Sequence, residues 1–194
     1  MSSQMDPQEF YDRFSESYDA TVNGPKVRAQ NTLEAVRVFQ KHHQDTNGRI
    51  FDTGCGTGLL KAALAGDFEY VGLDVSAKML ERAAERGYRT VHQPVEAFLS
   101  EISKPEYDFV FALSCLQFVR DIRACLDRIV EMAGQSVVLT IDDLSEEFLE
   151  RSKMECYNHA GIVIPNATED YFIDGWTSPT MGLPIRTRVV LIQK

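Results

Sequence analysis

The sequence predicts an α/β domain with a doubly wound, mostly parallel sheet. Three observations support this prediction. Strand-like apolar runs alternate with segments whose apolar residues have helical spacing. Glycine follows several of the helical segments, at the position where a left-handed residue commonly ends a helix. A strand near residue 50 runs directly into a glycine-rich turn and a further helical segment.

Seven strands are expected from the runs of aliphatic, aromatic and β-branched residues. The glycines predicted to end the preceding helices are Gly66, Gly87, Gly134 and Gly161. Residues 177–184, between the last two strands, are rich in turn formers and too few for a crossover helix, so these strands should pair antiparallel. The predicted strands are 49–52, 70–75, 89–93, 109–113, 136–141, 171–176 and 186–193.

Two helices are predicted from apolar spacing alone. Residues 26–43 place Ala29, Leu33 and Val36 on one face, and residues 121–133 repeat apolar side chains at intervals of three and four. The N-terminal segment 1–23 is polar but carries four aromatic side chains, too many for a disordered tail. We expect a short helix or flap there, which either closes over a ligand or anchors the N-terminus to the core.

Length and charge limit the domain count and the partners. With 194 residues and 44% apolar content, the chain can form one domain with a substantial core. We expect a single domain over residues 1–194, with the segment 1–23 ahead of a core at 24–194. The formal charge of −9 opposes binding to a phosphate backbone, and no cluster of basic residues counters it. A small molecule or a basic protein segment is therefore expected as the partner, and nucleic acid is not.

Four cysteines occur without a Cys-x-x-Cys motif, and the sequence has neither a signal peptide nor an apolar run long enough to cross a membrane. This usage predicts reduced thiols in a cytoplasmic protein. Cys125 and Cys156 are expected on helices as small apolar side chains, whereas Cys55 and Cys115 could flank a ligand. The four histidines do not combine with the cysteines at ligand spacing, so no metal site is predicted.

The glycine-rich turn is the strongest candidate for a binding site. Residues 50–60 pass from an apolar strand through Gly54, Gly56 and Gly58 into an alanine- and leucine-rich helix. Glycine admits positive φ and lets a ligand approach the backbone, while the first amides of the helix add hydrogen-bond donors. Asp74 ends the next strand about 20 residues later, where a carboxylate can accept hydrogen bonds from both hydroxyls of a ribose. Together they predict a site for a nucleoside-containing cofactor.

Two nucleoside cofactors compete for such a turn. Dinucleotides use the pattern Gly-x-Gly-x-x-Gly, whereas this chain has Gly-x-Gly-x-Gly with Asp52 just ahead, which favours S-adenosylmethionine. The segment resembles motif I of the class I S-adenosylmethionine-dependent methyltransferases, and Asp74 lies where that family has its ribose-binding acid. Residues 107–121 are similar to the family's fourth strand and the loop after it. The resemblance therefore covers most of the chain from Ile50 onwards.

This resemblance implies a Rossmann-like seven-stranded sheet in the order 3-2-1-4-5-7-6 with an antiparallel last strand. It also implies S-adenosylmethionine as the methyl donor and S-adenosylhomocysteine as the product. The pairs Tyr11-Asp12 and Tyr18-Asp19 are similar to aromatic-acid segments that close over cofactor and substrate in small-molecule methyltransferases. The cofactor-binding residues implied by the family are Tyr18, Arg28, Gly54, Cys55, Gly56, Asp74, Val75, Met79, Val95, Glu96, Leu113 and Ser114.

The family pattern is broken after the third strand. The family commonly has a Gly-Asp-Ala-Glu-like sequence there, whose acid binds the adenine edge, whereas this chain has Gln93, Pro94, Val95 and Glu96. Pro94, in the aspartate position, supplies neither a carboxylate nor an amide donor. The Val95 amide and the Glu96 carboxylate are the remaining candidates for adenine recognition, although Glu96 also fits an ordinary charge at a helix start.

Further side chains follow the fourth and fifth strands at the carboxyl edge of the sheet, where open α/β sheets bind ligands. Phe118 is expected where the methyl donor and the acceptor meet. Asp142 and Asp143 either recognise the acceptor or simply precede a helix. Tyr157 and His159 are predicted near the end of that helix, with His159 as a base or a capping cation.

Three functions are compatible with the sequence. The first is a stand-alone enzyme that methylates a small molecule, since the chain leaves little room for a docking module. The second methylates a basic protein, which an acidic surface tolerates. The third is a cofactor-binding regulatory or scaffold protein, for which Pro94 and the lack of an assured base are the arguments. No catalytic residue is assigned, because methyl transfer from a sulfonium to an already nucleophilic acceptor needs alignment more than a base.

Overall fold

The computed structural model describes residues 5–22, 29–44, 47–101, 106–178 and 181–194. Seven segments of this part of the chain are strands, and the strands belong to one sheet. Each predicted strand is present, most of them a few residues longer than expected. The strands are β1 (Asn47–Thr53), β2 (Asp67–Asp74), β3 (Arg89–His92), β4 (Tyr107–Leu113), β5 (Ala133–Asp143), β6 (Ala167–Thr177) and β7 (Pro184–Gln193).

The sheet has the order β3-β2-β1-β4-β5-β7-β6. Strands β1 to β5 pair in parallel, whereas β7 lies antiparallel between β5 and β6. The predicted α/β fold class, strand order and reversed last strand are therefore confirmed. The parallel arrangement brings the carboxyl ends of β1, β2, β4 and β5 to one edge of the sheet.

Helices connect the parallel strands and cover both faces of the sheet. The segment predicted as a short helix or flap contains helix α1. The helix predicted at 121–133 is α6. Asp121 caps α6, and its side chain accepts a hydrogen bond of 3.0 Å from the Ala124 amide. The helices are α1 (Pro7–Val22), α2 (Ala29–His42), α3 (Leu59–Ala63), α4 (Ala77–Glu85), α5 (Val95–Glu101), α6 (Ile122–Met132) and α7 (Glu146–Arg151).

Successive residues of the central strands pack into different layers of the core. On β4, Phe109 and Phe111 face the layer that contains α2, where both rings contact Phe39. Val110 and Ala112 face the opposite layer, which contains α5 and α6. Because side chains alternate along a strand, this pattern requires apolar residues at every position and explains the unbroken apolar run of β4.

The structure corrects the prediction that four glycines end helices. Of these, only Gly87 follows a helix in the left-handed conformation, with φ of 83° directly after the C-cap of α4. Gly134 lies inside β5, Gly66 lies beyond the cap of α3, and no helix immediately precedes Gly161. The caps of α3 and α6 are extended residues. These helices lead directly into extended chain, so a left-handed glycine is not needed.

The chain after β5 is also less helical than expected. Helix α7 ends at Arg151, so Cys156, Tyr157 and His159 lie in the irregular segment 152–166 and not on a helix. Two polar groups of this segment bond to the loop after β4. The Tyr157 amide donates to the Gln117 carbonyl over 2.8 Å, and the His159 ring nitrogen Nε2 lies 2.8 Å from the Val119 carbonyl.

A close approach at Gly72 of β2 positions the glycine-rich turn. A Cβ on Gly72 would lie 2.6 Å from the Cys55 Sγ and 2.7 Å from the Tyr88 ring. Cys55 also donates its amide to the Leu73 carbonyl over 3.0 Å. The turn can therefore lie against β2 only because residue 72 has no side chain.

We expect Gly72→Ala to lower the free energy of unfolding by about 1–3 kcal/mol, because the added methyl group overpacks a buried contact. Gly161→Ala is the matched control, since nothing lies within 4 Å of its Cβ position; its effect should stay within about 0.5 kcal/mol. Urea unfolding of both variants measures the difference. Equal stability of the two variants would contradict this packing argument.

Candidate functional site

The glycine-rich turn connects β1 to α3 through residues with positive φ. Gly54, Gly56 and Gly58 have φ values of 65°, 52° and 81°, a region that other residues rarely adopt. A Cβ on Gly54 would overlap the Cβ of Cys115, in the loop after β4. The predicted need for glycine thus has two causes here, the backbone conformation and the close approach of a neighbouring loop.

Asp74, at the end of β2, is bound to this turn. Its Oδ2 accepts a hydrogen bond of 2.9 Å from the Gly56 amide, and its Oδ1 accepts one of 2.9 Å from the Ser76 amide. Burial raises the pKa of the carboxyl, and the hydrogen bonds from the Ser76 and Gly56 amides counteract that shift. Each carboxylate oxygen has a second lone pair, so Asp74 can still accept hydrogen bonds from a ligand.

A cavity of about 330 Å³ opens beside the turn and Asp74, and we call it the first cavity. It lies at the carboxyl edge of the sheet, where ligands of open α/β folds bind. Two neighbours of the predicted set, Thr53 and Gln93, line it as well. The predicted residues that line it are Tyr18, Gly54, Gly56, Asp74, Val75, Met79, Val95, Glu96, Leu113 and Ser114.

Of the two remaining predicted residues, one is described by the structure and is not brought to this cavity. Arg28 lies outside the described residues. Cys55 is 8% exposed and its side chain packs against Gly72 behind the turn. Its amide bonds to Leu73, and its carbonyl accepts a hydrogen bond of 2.9 Å from the Gly58 amide. Burial raises the pKa of the Cys55 thiol well above its ordinary value, so this residue acts as packing beneath the turn.

The segment with Pro94 forms part of the wall of the first cavity. Gln93, Pro94, Val95 and Glu96 all line it. The Gln93 amide donates to the Asp74 carbonyl over 3.2 Å, which fixes the segment to the end of β2. Glu96 lies in the first turn of α5, and it is exposed, so both predicted roles, ligand contact and helix-start charge, are open to it.

Helix α1 is fixed beside the turn by Asp19. The Thr57 hydroxyl donates to Asp19 over 2.6 Å, and Arg82 and Arg86 of α4 pair with its other oxygen at 3.2 and 2.5 Å. Burial raises the pKa of Asp19, but the hydrogen bonds from Thr57 and Arg86 and the charges of the two arginines outweigh it and lower the pKa below its ordinary value. Asp12 adds a second link through a hydrogen bond of 2.6 Å from the Ser76 hydroxyl.

A buried polar cluster lies beneath the loop after β4. Asp142 of β5 is 1% exposed and its Oδ1 accepts hydrogen bonds of 2.9 Å from Thr187 and 3.3 Å from Ser114 and Asn31. Asn31 also donates to the Ser114 hydroxyl over 2.9 Å. Ser114 has a φ of 51°, an uncommon conformation for a residue with a side chain. The cluster fixes the orientation of Ser114 at the first cavity.

The two aspartates at the end of β5 do not precede a helix directly, contrary to one of their predicted roles. Ser145 caps α7, its hydroxyl accepting from the Phe148 amide over 3.2 Å. Asp143 pairs with Arg186 at 2.9 Å and accepts a hydrogen bond of 3.0 Å from Asn158. The Arg186 and Asn158 hydrogen bonds lower the pKa of Asp143. Asp143 is therefore a structural link between β5, β7 and the irregular segment.

A second cavity of about 260 Å³ adjoins the first one. Its walls are mainly aromatic and aliphatic, and they come from α1, α7 and the ends of the β6–β7 hairpin. Tyr11, Tyr18 and Phe118 line both cavities. The rings of Tyr11 and Phe118 are in edge contact, with centroids 6.0 Å apart. Neither Tyr157 nor His159 lines either cavity, so neither is placed to act as a base.

Metal-binding clusters and membrane-spanning helices are absent from the described ranges. No group of three or more histidine, cysteine, aspartate or glutamate side chains there is arranged to hold a metal ion. No helix within those ranges is long and apolar enough to cross a membrane. The four cysteines form no disulfide.

Comparison with known proteins supports a methyltransferase family. The family model described as a methyltransferase domain matches residues 51–139. Magnesium-protoporphyrin O-methyltransferase of Rhodobacter capsulatus is 26% identical over 118 residues, which are 58% of this chain and 53% of that protein. These matches support a class I S-adenosylmethionine-dependent methyltransferase. The chain spans about half the length of the curated methyltransferase that it matches.

Solved methyltransferase structures share the fold of this methyltransferase. Magnesium protoporphyrin IX methyltransferase from Synechocystis PCC 6803, with bound S-adenosylmethionine, has a TM-score of 0.62 at 15% identity and covers 99% of this chain and 100% of its own. The N-methyltransferase NodS from Bradyrhizobium japonicum WM9, in complex with S-adenosylhomocysteine, has a TM-score of 0.71 at 14% identity, with coverages of 96% and 97%. The shared fold and the family-model match support the predicted family, enzyme class and cofactor, S-adenosylmethionine.

Asp52 lies beneath the glycine turn, and burial is the main influence on the pKa of its carboxyl group. It is 3% exposed and accepts a hydrogen bond of 2.9 Å from the Tyr88 hydroxyl. Burial, together with the nearby charge of Asp74, raises the pKa of Asp52 to about 7, although the Tyr88 hydrogen bond acts in the opposite direction. Asp52 thus changes its charge near neutral pH, directly under the binding site.

We expect the free energy of unfolding to fall as pH rises from about 4 to about 7, and Asp52→Asn to remove that dependence. The carboxyl ionises near 3.8 in the unfolded chain but near 7 in the folded one. Unfolding between these values releases a proton, which a higher pH favours. At about 1.4 kcal/mol per pKa unit the effect is up to about 4 kcal/mol.

Urea unfolding between pH 4 and 8 measures this slope. Asp67→Asn serves as the control, because Asp67 is an exposed aspartate at the other end of the neighbouring strand. It should keep the slope of the unmodified protein. A pH dependence that survives in Asp52→Asn would assign the titration to another group.

We expect Asp19→Ala to loosen α1 without disturbing the sheet, because it removes the acceptor shared by Thr57, Arg82 and Arg86. Amide hydrogen exchange in α1 should then accelerate about tenfold or more, because the variant loses one charge-assisted hydrogen-bond network. Glu9→Ala is the control, since Glu9 pairs with Arg13 on the exposed side of the same helix. Equal exchange in both variants would show that α1 is held by other contacts.

Proposed function

We propose that this methyltransferase transfers a methyl group from S-adenosylmethionine to a small-molecule acceptor by in-line displacement. The observation that supports this proposal is the junction of the two cavities at Tyr11, Tyr18 and Phe118. A donor in the first cavity and an acceptor in the more apolar second cavity would meet there. We further propose that residues 1–194 act as one domain, since α1 contributes walls to both cavities.

The residues of the first cavity suit the proposed donor. The Asp74 carboxylate is held in place by two amides, with lone pairs left for ribose hydroxyls. A Cβ on Gly56 would come within 3.9 Å of the Tyr18 ring, so bare backbone faces this side of the cavity. Met79 is 1% exposed, and with Val75 it offers an apolar surface of the kind that a purine ring packs against.

Alignment is the main task left to the protein. When bound, the sulfonium supplies an activated methyl group, whose bond to sulfur breaks as the acceptor lone pair forms the new bond. Tyr11, Tyr18 and Phe118 would restrict the acceptor to a near-attack position, which can lower the barrier by several kcal/mol. Ser114, fixed by Asn31 and Asp142, would place its hydroxyl beside the reacting groups. A carboxylate, phenolate or thiolate acceptor needs no base in such a site.

The names of similar proteins support a small acceptor but not one acceptor atom. The curated relative is named as an O-methyltransferase of magnesium-protoporphyrin, whereas NodS is named as an N-methyltransferase. We therefore take the acceptor class from the second cavity. The direct test is transfer of labelled methyl groups from S-adenosylmethionine to extracted metabolites and to extracted proteins. Label in the metabolite fraction is expected; label in proteins alone would favour a protein substrate.

We expect Asp74→Ala to weaken S-adenosylhomocysteine binding by about 1–3 kcal/mol, or roughly 10- to 100-fold, because the ribose hydroxyls would lose their acceptor. Calorimetry with purified protein gives the affinity directly. Asp67→Ala, at the exposed opposite end of β2, is the control and should bind as the unmodified protein does. An unchanged affinity in Asp74→Ala would mean that the ribose lies elsewhere, and no binding by the unmodified protein would favour a scaffold role.

A further inference from the structure

We propose that the second cavity accepts molecules with a flat apolar body and an anionic group, and that Arg151 and Lys153 bind the anion. This inference rests on the proposed function, because it names the class of acceptor. It follows from the apolar walls of the cavity, from the charges of the rim where Arg151 and Lys153 lie, and from the position of that rim relative to the first cavity.

The walls of the second cavity suit a flat apolar body. Aromatic rings on several sides line it, among them Phe10, Phe14, Phe148 and Trp176. The Phe10 and Phe14 centroids lie 5.7 Å apart with their planes at 50°. A further aromatic ring can pack edge-to-face or offset against side chains of this kind. An extended polar substrate would leave these surfaces unpaired.

The charge at the rim is opposite to that of the whole protein. The sequence has 29 acidic and 20 basic residues, yet the charged residues that line this cavity in the described part of the chain are the two cations Arg151 and Lys153. No carboxylate lines it to neutralise an incoming anion. The guanidinium of Arg151 donates to Glu147 over 2.8 Å and to the Met181 carbonyl over 3.1 Å. Its five N–H groups leave donors for an additional acceptor.

The backbone holds the two cations at the same rim. Arg151 is the last residue of α7, and the Lys153 carbonyl accepts a hydrogen bond of 2.7 Å from the Met5 amide. Lys153 is therefore tied to the chain just ahead of α1. A carboxylate between an arginine and a lysine gains charge-assisted hydrogen bonds that a neutral group cannot form.

The rim lies away from the expected point of methyl transfer. Arg151 and Lys153 do not line the first cavity, whereas Tyr11, Tyr18 and Phe118 line both. A molecule with its anion at the rim therefore presents its other end to the methyl donor. The anion is a recognition group in this arrangement, and the methylated atom belongs to the opposite end of the acceptor.

Calorimetry with three probes of equal ring size tests the inference. The probes are 2-naphthoate, 2-naphthalenemethanol and 2-naphthylmethylammonium, each titrated with and without saturating S-adenosylhomocysteine. We expect 2-naphthoate to bind about tenfold more tightly than the alcohol, as one charge-assisted contact provides, and the ammonium compound to bind most weakly. The double variant Arg151→Gln, Lys153→Gln should lose this tenfold preference and keep its affinity for the alcohol.

Arg37→Gln is the matched control, because Arg37 is an exposed arginine paired with Glu34 on α2 and lines neither cavity. It should leave all three affinities unchanged. Equal binding of the three probes, binding of none, or an unchanged preference in the double variant would overturn the inference. Failure of S-adenosylhomocysteine to bind would instead overturn the proposed function, while the titrations in its absence would still report the charge preference of the second cavity.

Discussion

The hydrogen bond from the Gly56 amide to the Asp74 carboxylate is the interaction on which the site depends. It joins the turn after β1 to the end of β2, and it requires a turn that lies flat against the sheet. This flat position requires Gly72, since a side chain there would meet Cys55 and Tyr88. A binding residue, a backbone conformation and a packing constraint are thus parts of one arrangement. A change at any of them alters the shape of the first cavity.

Burial beneath this arrangement has an electrostatic consequence. Asp52 and Asp74 are two carboxyl groups near the same turn, and burial raises the pKa of both. Asp74 has two amides that stabilise its charged form, whereas Asp52 has one hydroxyl partner in Tyr88. Like charges at short range disfavour simultaneous ionisation. The amide hydrogen bonds therefore favour negative charge on Asp74, the carboxylate that reaches the cavity, whereas Asp52 stays protonated up to near neutral pH.

The parts of the structure that the sequence predicted are those with local signals. Positive φ at alternate glycines, an acid at a strand end and a linker too short for a helix each depend on neighbouring residues. Contacts between distant segments had no such signal. Asp19 meets Arg86 across 67 positions, and Asn31 meets Asp142 across 111. The irregular segment 152–166 was predicted to contain part of a helix. That prediction was wrong because the segment bonds to Gln117 and Val119, which lie on a loop that only the folded sheet brings near. The aromatic side chains of segment 1–23, with the pairs Tyr11-Asp12 and Tyr18-Asp19 singled out by resemblance, were the sequence features that pointed towards α1.

Helix α1 is held differently from the rest of the structure. Within it only Ser15 and Val22 are buried, so polar links through Asp12 and Asp19 and a row of aromatic contacts hold it in place. Polar links at a partly exposed surface stabilise a helix less than a buried apolar face does. Tyr11 and Tyr18 line both cavities, so a ligand in either cavity adds apolar contact to this helix. A ligand in either cavity would therefore stabilise the docked position of α1, which contributes walls to both cavities.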